Sequence, residues 1–270
     1  MIILLKKFIF LLHYKMHMFI NSIRWKIKEH RELIKYGYEH NLILDLINKN
    51  YRNDSYKKWL EYPKNLAKSE GYIFSEDTPS RSLVEVFVEK IYYVDEFLPK
   101  SNDVILDVGA SYGDTSIWYA KKFGAKVYAF EPLEDIYKIL LKNIELNKLD
   151  IKAYNIAVGN GKIISANINK NMLTIGNVKS IETRTLDSFN FDKVDFIKID
   201  VEGFELFVLD GARETIGKFH PKIILETHTK ELYEKSIEFL KDFNYKVKFN
   251  KKINGNDYFK DVNLLFLSTE

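Results

Sequence analysis

The chain has 270 residues, 46% of them hydrophobic, and its 41 basic residues nearly balance 38 acidic ones to leave a net charge of +3. This length and apolar share fit one large α/β domain with an N-terminal appendage. The absence of cysteine excludes disulfides, cysteine nucleophiles and thiolate metal sites.

The N-terminal segment carries the positive charge, because the first 69 residues hold 14 basic and 6 acidic side chains. Residues 1–20 are apolar, but Lys6, Lys7 and His13 interrupt them, so a transmembrane span is not expected. A signal-peptide cleavage site is also missing, and we therefore predict a cytoplasmic protein.

A helix through this segment would gather its basic side chains on one side. That pattern is typical of a peripheral membrane anchor, or, more commonly, of a helix that packs on the catalytic domain or on a second subunit of a homo-oligomer. No nucleic-acid-binding motif accompanies the basic residues, so a nucleic-acid partner is not expected. We predict a basic helical extension over residues 1–61, a linker over residues 62–83 and a catalytic domain over residues 84–270.

The first strand of the catalytic domain is predicted at Val104–Val108, where the residues are continuously apolar apart from Asp107. A turn bounded by Gly109 and Gly113 follows, and then a helix over residues 115–123. These glycines allow close approach of a ligand and are expected to present amide donors near the start of the helix. Ser111 stands where the dinucleotide fingerprint requires glycine, which disfavours a nicotinamide cofactor.

The second strand is predicted at Lys126–Phe130 and delivers Glu131 at its carboxyl end, with Pro132 leading into a helix over residues 135–147. A carboxylate at the end of a second strand is placed to accept both hydroxyls of a ribose. The sequence therefore predicts a nucleoside-containing ligand at this edge of the sheet.

Further strands are predicted over residues 151–155, 195–199, 222–226, 245–249 and 262–268, and their alternation with helices indicates a doubly wound sheet. The polar run between the last two strands is too short for a crossover helix, so these strands should be antiparallel. Residues 157–185 alternate in short stretches and predict a β-rich excursion. It could cover a substrate or be an inert surface hairpin.

The ends of the later strands carry the candidate catalytic side chains. Asp200 and Glu202 follow the fourth strand, and Glu226 and His228 close the fifth. The carboxyl ends of parallel strands share one edge of a sheet, so these side chains should converge and could supply a general base for a hydroxyl acceptor. Magnesium bound by the same four side chains is the alternative mechanism.

Structural roles are open for the same residues. Glu202 could cap the next helix, and His228 could belong to the cap region before Thr229. Glu226 could pair with Lys198 or with Arg213, and Lys198 itself could simply pair with a carboxylate.

Several motifs occur in a characteristic order: Asp107-Val-Gly-Ala-x-x-Gly-Asp, Phe130-Glu-Pro, Asn143 and Asn147, Ala157-Val-Gly, Thr185-Leu-Asp, Asp195-Phe-Ile-Lys-Ile-Asp-Val-Glu-Gly-x-Glu, and Pro221-x-Ile-Ile-Leu-Glu-x-His. Together they resemble the FkbM-type S-adenosylmethionine-dependent methyltransferases from about Val84 to the C-terminus. The resemblance implies the class I methyltransferase fold, a Rossmann-like seven-stranded sheet with helices on both faces and a reversed last strand. It also implies O-methylation of a small-molecule or glycan acceptor, such as a sugar or a related metabolite.

The resemblance places S-adenosylmethionine on a set of residues from the first three strand ends: Asp107, Gly109, Ala110, Ser111, Gly113, Glu131, Pro132 and Ala157. Two other functions stay open. One is a nicotinamide-dependent oxidoreductase, and the other is a noncatalytic module that binds through the same fold. The intact Asp107, Glu131 and Asp200 argue against the noncatalytic module.

Overall fold

The computed structural model describes residues 61–169, 172–175, 179–253 and 262–269. The described residues divide into two compact units, one of residues 61–71 and 79–90 and the other of residues 72–78 and the described part of residues 91–270. The predictions for residues 1–60 lie outside the described residues, and so do those on a membrane contact and a second subunit, which rest on that segment. No helix in the described ranges is both long and apolar enough to cross a membrane.

In the first unit the described residues are helical, although we predicted a linker over most of them. Helix α1 spans Tyr62–Ser69 and has Pro63 in its first turn, where a missing amide hydrogen costs nothing. A 3₁₀ turn at Ser80–Leu83 leads into a π-helical turn at Val84–Glu89. Val84 and Val88 pack against Tyr62 and Leu66, so an apolar contact holds these elements together.

The second unit is built on a seven-stranded sheet, which confirms the predicted fold class. Its strands are β1 (Val104–Val108), β2 (Lys126–Phe130), β3 (Lys152–Tyr154), β8 (Phe196–Ile199), β9 (Lys222–Thr227), β10 (Lys246–Ile253) and β11 (Val262–Ser268). They are ordered β10-β11-β9-β8-β1-β2-β3. Strand β11 is antiparallel to both of its neighbours, and the paired strands from β3 to β9 are parallel. The predicted reversal at the end of the chain is thus present.

Helices flank the sheet. They are α2 (Asp114–Phe123), α3 (Glu134–Asn147), α4 (Glu205–Asp210), α5 (Arg213–Phe219) and α6 (Lys230–Lys241). Strands β1 and β8 are buried along their whole length, as expected of central parallel strands, and their side chains form the main apolar core with those of β9 and β11.

The excursion after β3 is a small sheet of its own, as its alternation predicted. It comprises β4 (Ala157–Val158), β5 (Ile163–Asn169), β6 (Met172–Ile175) and β7 (Lys179–Arg184), ordered β4-β7-β5-β6. Ile164 and Ala166 from β5 pack against Phe204, which precedes α4. The excursion is therefore anchored beside the carboxyl end of β8.

Two asparagines of α3 hold an irregular stretch of chain. The side-chain Oδ1 of Asn143 accepts from the Ser75 amide at 2.8 Å. Its Nδ2 donates to Tyr112 O at 2.8 Å, in the turn after β1. Asn147 accepts from Ile73 N at 3.0 Å and donates to Ile73 O at 2.6 Å. These bonds fix residues 73–75 and the β1 turn against one helix.

Candidate active site

A cleft opens at the carboxyl ends of β1, β2 and β8, with about 750 Å³ of space continuous with solvent. The side chains and backbone that line it come from the turn after β1, the end of β2, the start of the excursion and the segment after β8. They include Gly109, Ser111, Phe130, Glu131, Pro132, Leu133, Ile156, Ala157, Val158, Ile164, Asp200, Glu202 and Phe204. An apolar lining with a few polar groups is typical of a site for a small molecule or cofactor.

The turn after β1 depends on Gly109. It has φ +80°, and a Cβ built there would lie 1.8 Å from the carbonyl oxygen of Asp200. The ends of β1 and β8 can therefore approach each other only around a residue without a side chain. The Asp200 amide donates to Val108 O at 3.0 Å, which joins the same two strand ends.

The amides of this turn are used inside the protein. Gly109 N and Ala110 N both donate to Phe130 O, at 3.0 and 2.9 Å, and Gly113 N donates to Ala110 O at 2.8 Å. The expectation that Gly109 and Gly113 present free amide donors to a ligand is therefore wrong. A Cβ at Gly113 would lie 2.4 Å from Leu140 Cδ1, so this glycine serves the packing of α3.

Glu131 closes the turn from the other side. Its Oε2 accepts from Ser111 N at 3.0 Å and its Oε1 from Leu133 N at 2.8 Å. Burial raises the pKa of the Glu131 carboxyl to about 7, although the hydrogen bonds from the two backbone amides lower it. The side chain thus lines the cleft with its carboxylate already oriented.

Asp107 lies beneath the cleft and not in its lining. It is fully buried, and its Oδ2 accepts from Thr115 Oγ at 2.7 Å and from Ser116 Oγ at 2.6 Å. Its Oδ1 lies 3.3 Å from Lys198 Nζ. Asp107 therefore ties β1 to the start of α2 and to β8.

Lys198 is 4% exposed and also donates to Gly109 O at 3.4 Å. Burial alone would lower the pKa of Lys198, but Asp107 and Asp200 outweigh it and the pKa is raised. The ammonium is therefore charged, and its predicted pairing with a carboxylate is confirmed. Asp200 Oδ2 lies 3.7 Å from Lys198 Nζ, so the ammonium contacts both Asp107, beneath the cleft, and Asp200, in its lining.

His228 lies at the centre of four carboxyl groups. Its Nδ1 is 2.7 Å from Glu205 Oε1, and its Nε2 is 3.3 Å from Glu202 Oε2, 3.5 Å from Glu226 Oε1 and 3.8 Å from Asp200 Oδ1. We call these five residues the carboxylate–histidine cluster. The predicted convergence of Asp200, Glu202, Glu226 and His228 is thus seen in the structure.

The charge on His228 follows from these neighbours. Burial opposes the charged form, but the hydrogen bonds to Glu205 and Glu226 and the charge of Asp200 raise the pKa of His228 to about 11. The imidazole is therefore protonated at neutral pH. Thr229, whose side chain accepts from Leu232 N, is the N-cap of α6, so His228 does not cap that helix.

The glutamates of the cluster differ in exposure. Glu226 is 93% buried, its nearest cation is His228 rather than Arg213, and burial followed by the charge of Asp200 raises its pKa. Glu202 is partly exposed, and burial with the charge of Asp200 raises its pKa to about 7. It occupies the left-handed region at φ 52°, which costs about 1–2 kcal/mol for a non-glycine residue.

Glu205 is the residue whose role sequence reasoning did not identify. Its Oε1 accepts from Gly203 N at 3.0 Å as well as contacting His228 Nδ1, and the side chain is fully buried. It therefore fixes both the backbone just before α4 and the orientation of the imidazole. No side chain caps the start of α4, so the capping role that the sequence suggested for Glu202 is not seen. The motif that contains Asp200 and Glu202 also contains Glu205, so the signal was present.

Of the predicted cofactor residues, the structure places Gly109, Ser111, Glu131, Pro132 and Ala157 in the cleft lining. Asp107, Ala110 and Gly113 support the turn from behind and are not in the lining. Apolar lining residues such as Phe130, Leu133 and Ile156 were not among the predictions, because an apolar side chain after a strand looks the same whether it lines a cleft or a core.

The sheet order, the reversed strand and the cleft at the carboxyl strand ends define a class I methyltransferase fold. The methyltransferase FkbM domain model matches residues 107–247. The chain belongs to this family of methyltransferases.

Individual proteins similar to this chain share between 16% and 26% sequence identity with it. "Methyltransferase sdnD" of Sordaria araneosa is 26% identical over 189 residues, which cover 53% of this chain and 72% of that protein. The methyltransferase FkbM from Methylobacillus flagellatus superposes with a TM-score of 0.47 at 19% identity, covering 75% of this chain and 57% of that one. TrmK of M. capricolum, bound to S-adenosylhomocysteine, gives 0.45 at 16% identity, covering 64% and 65%.

Proposed function

We propose that this methyltransferase transfers the methyl group of S-adenosylmethionine to a hydroxyl oxygen of a sugar, a glycan or a related small metabolite. The observation that carries the proposal is that Glu131 and Asp200, the carboxylates that end β2 and β8, line one cleft. In this proposal Glu131 binds the ribose of the cofactor and Asp200 faces the acceptor hydroxyl.

The residues present fit this cofactor. Each Glu131 oxygen accepts one backbone amide, and a carboxylate offers about four acceptor sites, so capacity remains for two ribose hydroxyls. Phe130, Leu133 and Ile156 supply an apolar lining next to Glu131 that suits a flat purine base. Glu131 would hold the ribose, and these apolar side chains would hold the base.

When bound, S-adenosylmethionine supplies an electrophilic methyl group on a sulfonium. The task of the chain is to hold an acceptor oxygen in line with that group and to remove the hydroxyl proton. Asp200 is the residue for the proton, because its carboxyl is 25% exposed and reaches the cleft, while Glu226 lies almost wholly beneath it.

His228 has a different role in this proposal. Its raised pKa leaves it protonated, so it cannot accept the hydroxyl proton at neutral pH. It instead holds the carboxyl groups of Asp200, Glu202 and Glu226 around a fixed positive charge. Of the four candidate catalytic residues, Asp200 and Glu202 both line the cleft, and we assign the proton to Asp200 and its positioning to His228.

Cofactor binding is tested by calorimetry on the Glu131→Gln variant, with Glu145→Gln as a control on the exposed surface of α3. Losing charged hydrogen bonds to the ribose should cost about 1.5–3 kcal/mol, or roughly 10–150-fold in affinity. The control should bind like the wild type. A thermal melt of each variant separates a lost contact from a loosened turn, since Glu131 also accepts from two amides. Unchanged affinity in Glu131→Gln would remove this residue from the cofactor site.

The reaction is tested with a radiolabelled methyl donor and a pooled extract of cell-envelope glycans, followed by chemical identification of the labelled atom. Asp200→Asn should keep cofactor affinity and lose about 10²–10⁴-fold in turnover. Label on nitrogen or carbon would contradict O-methylation. Tight binding of NAD in place of S-adenosylmethionine would support the oxidoreductase, and cofactor binding without any label transfer would support the noncatalytic module.

A further inference from the structure

The carboxylate–histidine cluster contains more acidic groups than basic ones. Among the described residues, the four carboxyl groups of Asp200, Glu202, Glu205 and Glu226 surround one imidazole. Lys198 is nearby but shares its charge between Asp107 and Asp200. Buried carboxylates without a full complement of cations are costly, so the cluster has room for additional positive charge.

Three oxygen atoms in the cluster lack hydrogen-bond partners. Glu202 Oε2, Glu205 Oε2 and Glu226 Oε2 are buried and accept no hydrogen bond. Glu226 is 93% buried, so water cannot readily compensate its orphaned oxygen. Such an atom, beside two further ligand groups, is placed to bind an electropositive partner.

The geometry points to a divalent cation of the magnesium or manganese type bound by Asp200, Glu226 and His228, and we propose this as a metal site of the protein. One ligand atom from each of the three residues lies within 4.8 Å of the other two. A single ion with bonds of about 2.0–2.6 Å spans that separation. A set dominated by carboxylate oxygen suits these two ions better than softer metals.

Glu205 orients His228 for a role as a metal ligand. Its contact with Nδ1 at 2.7 Å fixes the ring so that Nε2 points to Glu202, Glu226 and Asp200. A carboxylate behind a ligating histidine is the usual support for a metal site, because it sets the tautomer and the ring orientation. An ion at Nε2 takes the place of the proton there.

The site adjoins the cleft through Asp200 and Glu202, which line it. An ion there can bind an acceptor hydroxyl and acidify it, so that the carboxylates need not take the proton unaided. This catalytic role rests on the proposed function, whereas the binding of the ion does not.

The test is a titration of the full chain with Mn²⁺, in which electron paramagnetic resonance counts the free ion. The wild type should bind one equivalent, and Mg²⁺ should displace it. Glu226→Gln and Asp200→Asn should each weaken Mn²⁺ binding by at least tenfold, and Glu205→Gln by roughly tenfold through the orientation of His228. Glu145→Gln, with its exposed acid, should bind like the wild type.

Folding is checked in the same samples by thermal melting. Mn²⁺ should raise the melting temperature of the wild type and of Glu145→Gln by more than that of Asp200→Asn. The side chain of Asp200 is partly exposed, so its replacement is the least expected to prevent folding. Absence of Mn²⁺ binding by the wild type, or equal binding by Asp200→Asn, would overturn the site. In that case intact binding of S-adenosylmethionine would leave the proposed function standing. Binding of Mn²⁺ without binding of S-adenosylmethionine would support the metal site and contradict the proposed function.

Discussion

Replacement of Lys198 by Met should be among the most destabilising single changes in the second unit. The ammonium and the Asp107 carboxylate are both almost wholly buried, with 3.3 Å between Nζ and Oδ1. At an effective dielectric constant of about 20, that separation corresponds to an attraction of roughly 5 kcal/mol. Removal of one partner of a buried pair leaves an uncompensated charge, so we expect a loss of about 3–5 kcal/mol in the free energy of unfolding.

Urea unfolding gives the measurement, and Lys193→Met provides a matched control. Lys193 lies 2.8 Å from Asp195, a shorter distance, but it is 55% exposed, so its loss should cost no more than about 1 kcal/mol. Equal effects of the two substitutions would refute the argument from burial. A further check is the double variant with Asp107→Asn, which should lose less than the sum of the two single changes because no unpaired charge remains.

Two further predictions concern the cleft. Affinity for S-adenosylmethionine should fall as the pH drops through about 7, because the Glu131 carboxyl is protonated below its raised pKa and a protonated oxygen cannot accept from both hydroxyls. Calorimetry from pH 8 to 6 should show this loss of affinity in the wild type and a flatter pH profile in Glu131→Gln. Equal pH dependence in the two proteins would contradict the prediction. Gly109→Ala should lower the free energy of unfolding by about 2–5 kcal/mol, since a Cβ there meets Asp200 O. Gly71→Ala, at φ +91° with nothing within 4 Å of the new Cβ, should cost only about 1–2 kcal/mol. Equal melting temperatures of the two variants would refute the clash.

The sheet was predictable because its central strands have a distinctive pattern. Val104–Val108 and Phe196–Ile199 are buried along their length, and short, continuous apolar runs between turn signals are typical of strands covered on both faces. The reversed last strand followed from the short polar connection before Val262. Helix content near Tyr62 was missed, because Pro63 signals a linker as readily as the first turn of a helix.

The site was predictable in its location and less so in its roles. Parallel strand ends meet at one edge, so Glu131 and Asp200 were placed correctly in the cleft lining. The roles depend on distances of a few ångströms, which no spacing in the sequence encodes. Thus Gly109 proved to be required by the approach of a carbonyl of the neighbouring strand, and His228 proved to be surrounded by acids that hold its proton.

The order of the backbone at Ile73 depends on a single side chain. The side-chain amide of Asn147 serves both the N–H and the carbonyl of Ile73, much as a neighbouring β-strand would. A carboxylate in its place would face the carbonyl oxygen without a donor, so one of the two bonds would become a repulsion. Hydrogen exchange at Ile73 should therefore be faster in Asn147→Asp, and unchanged exchange would mean that other contacts hold this residue.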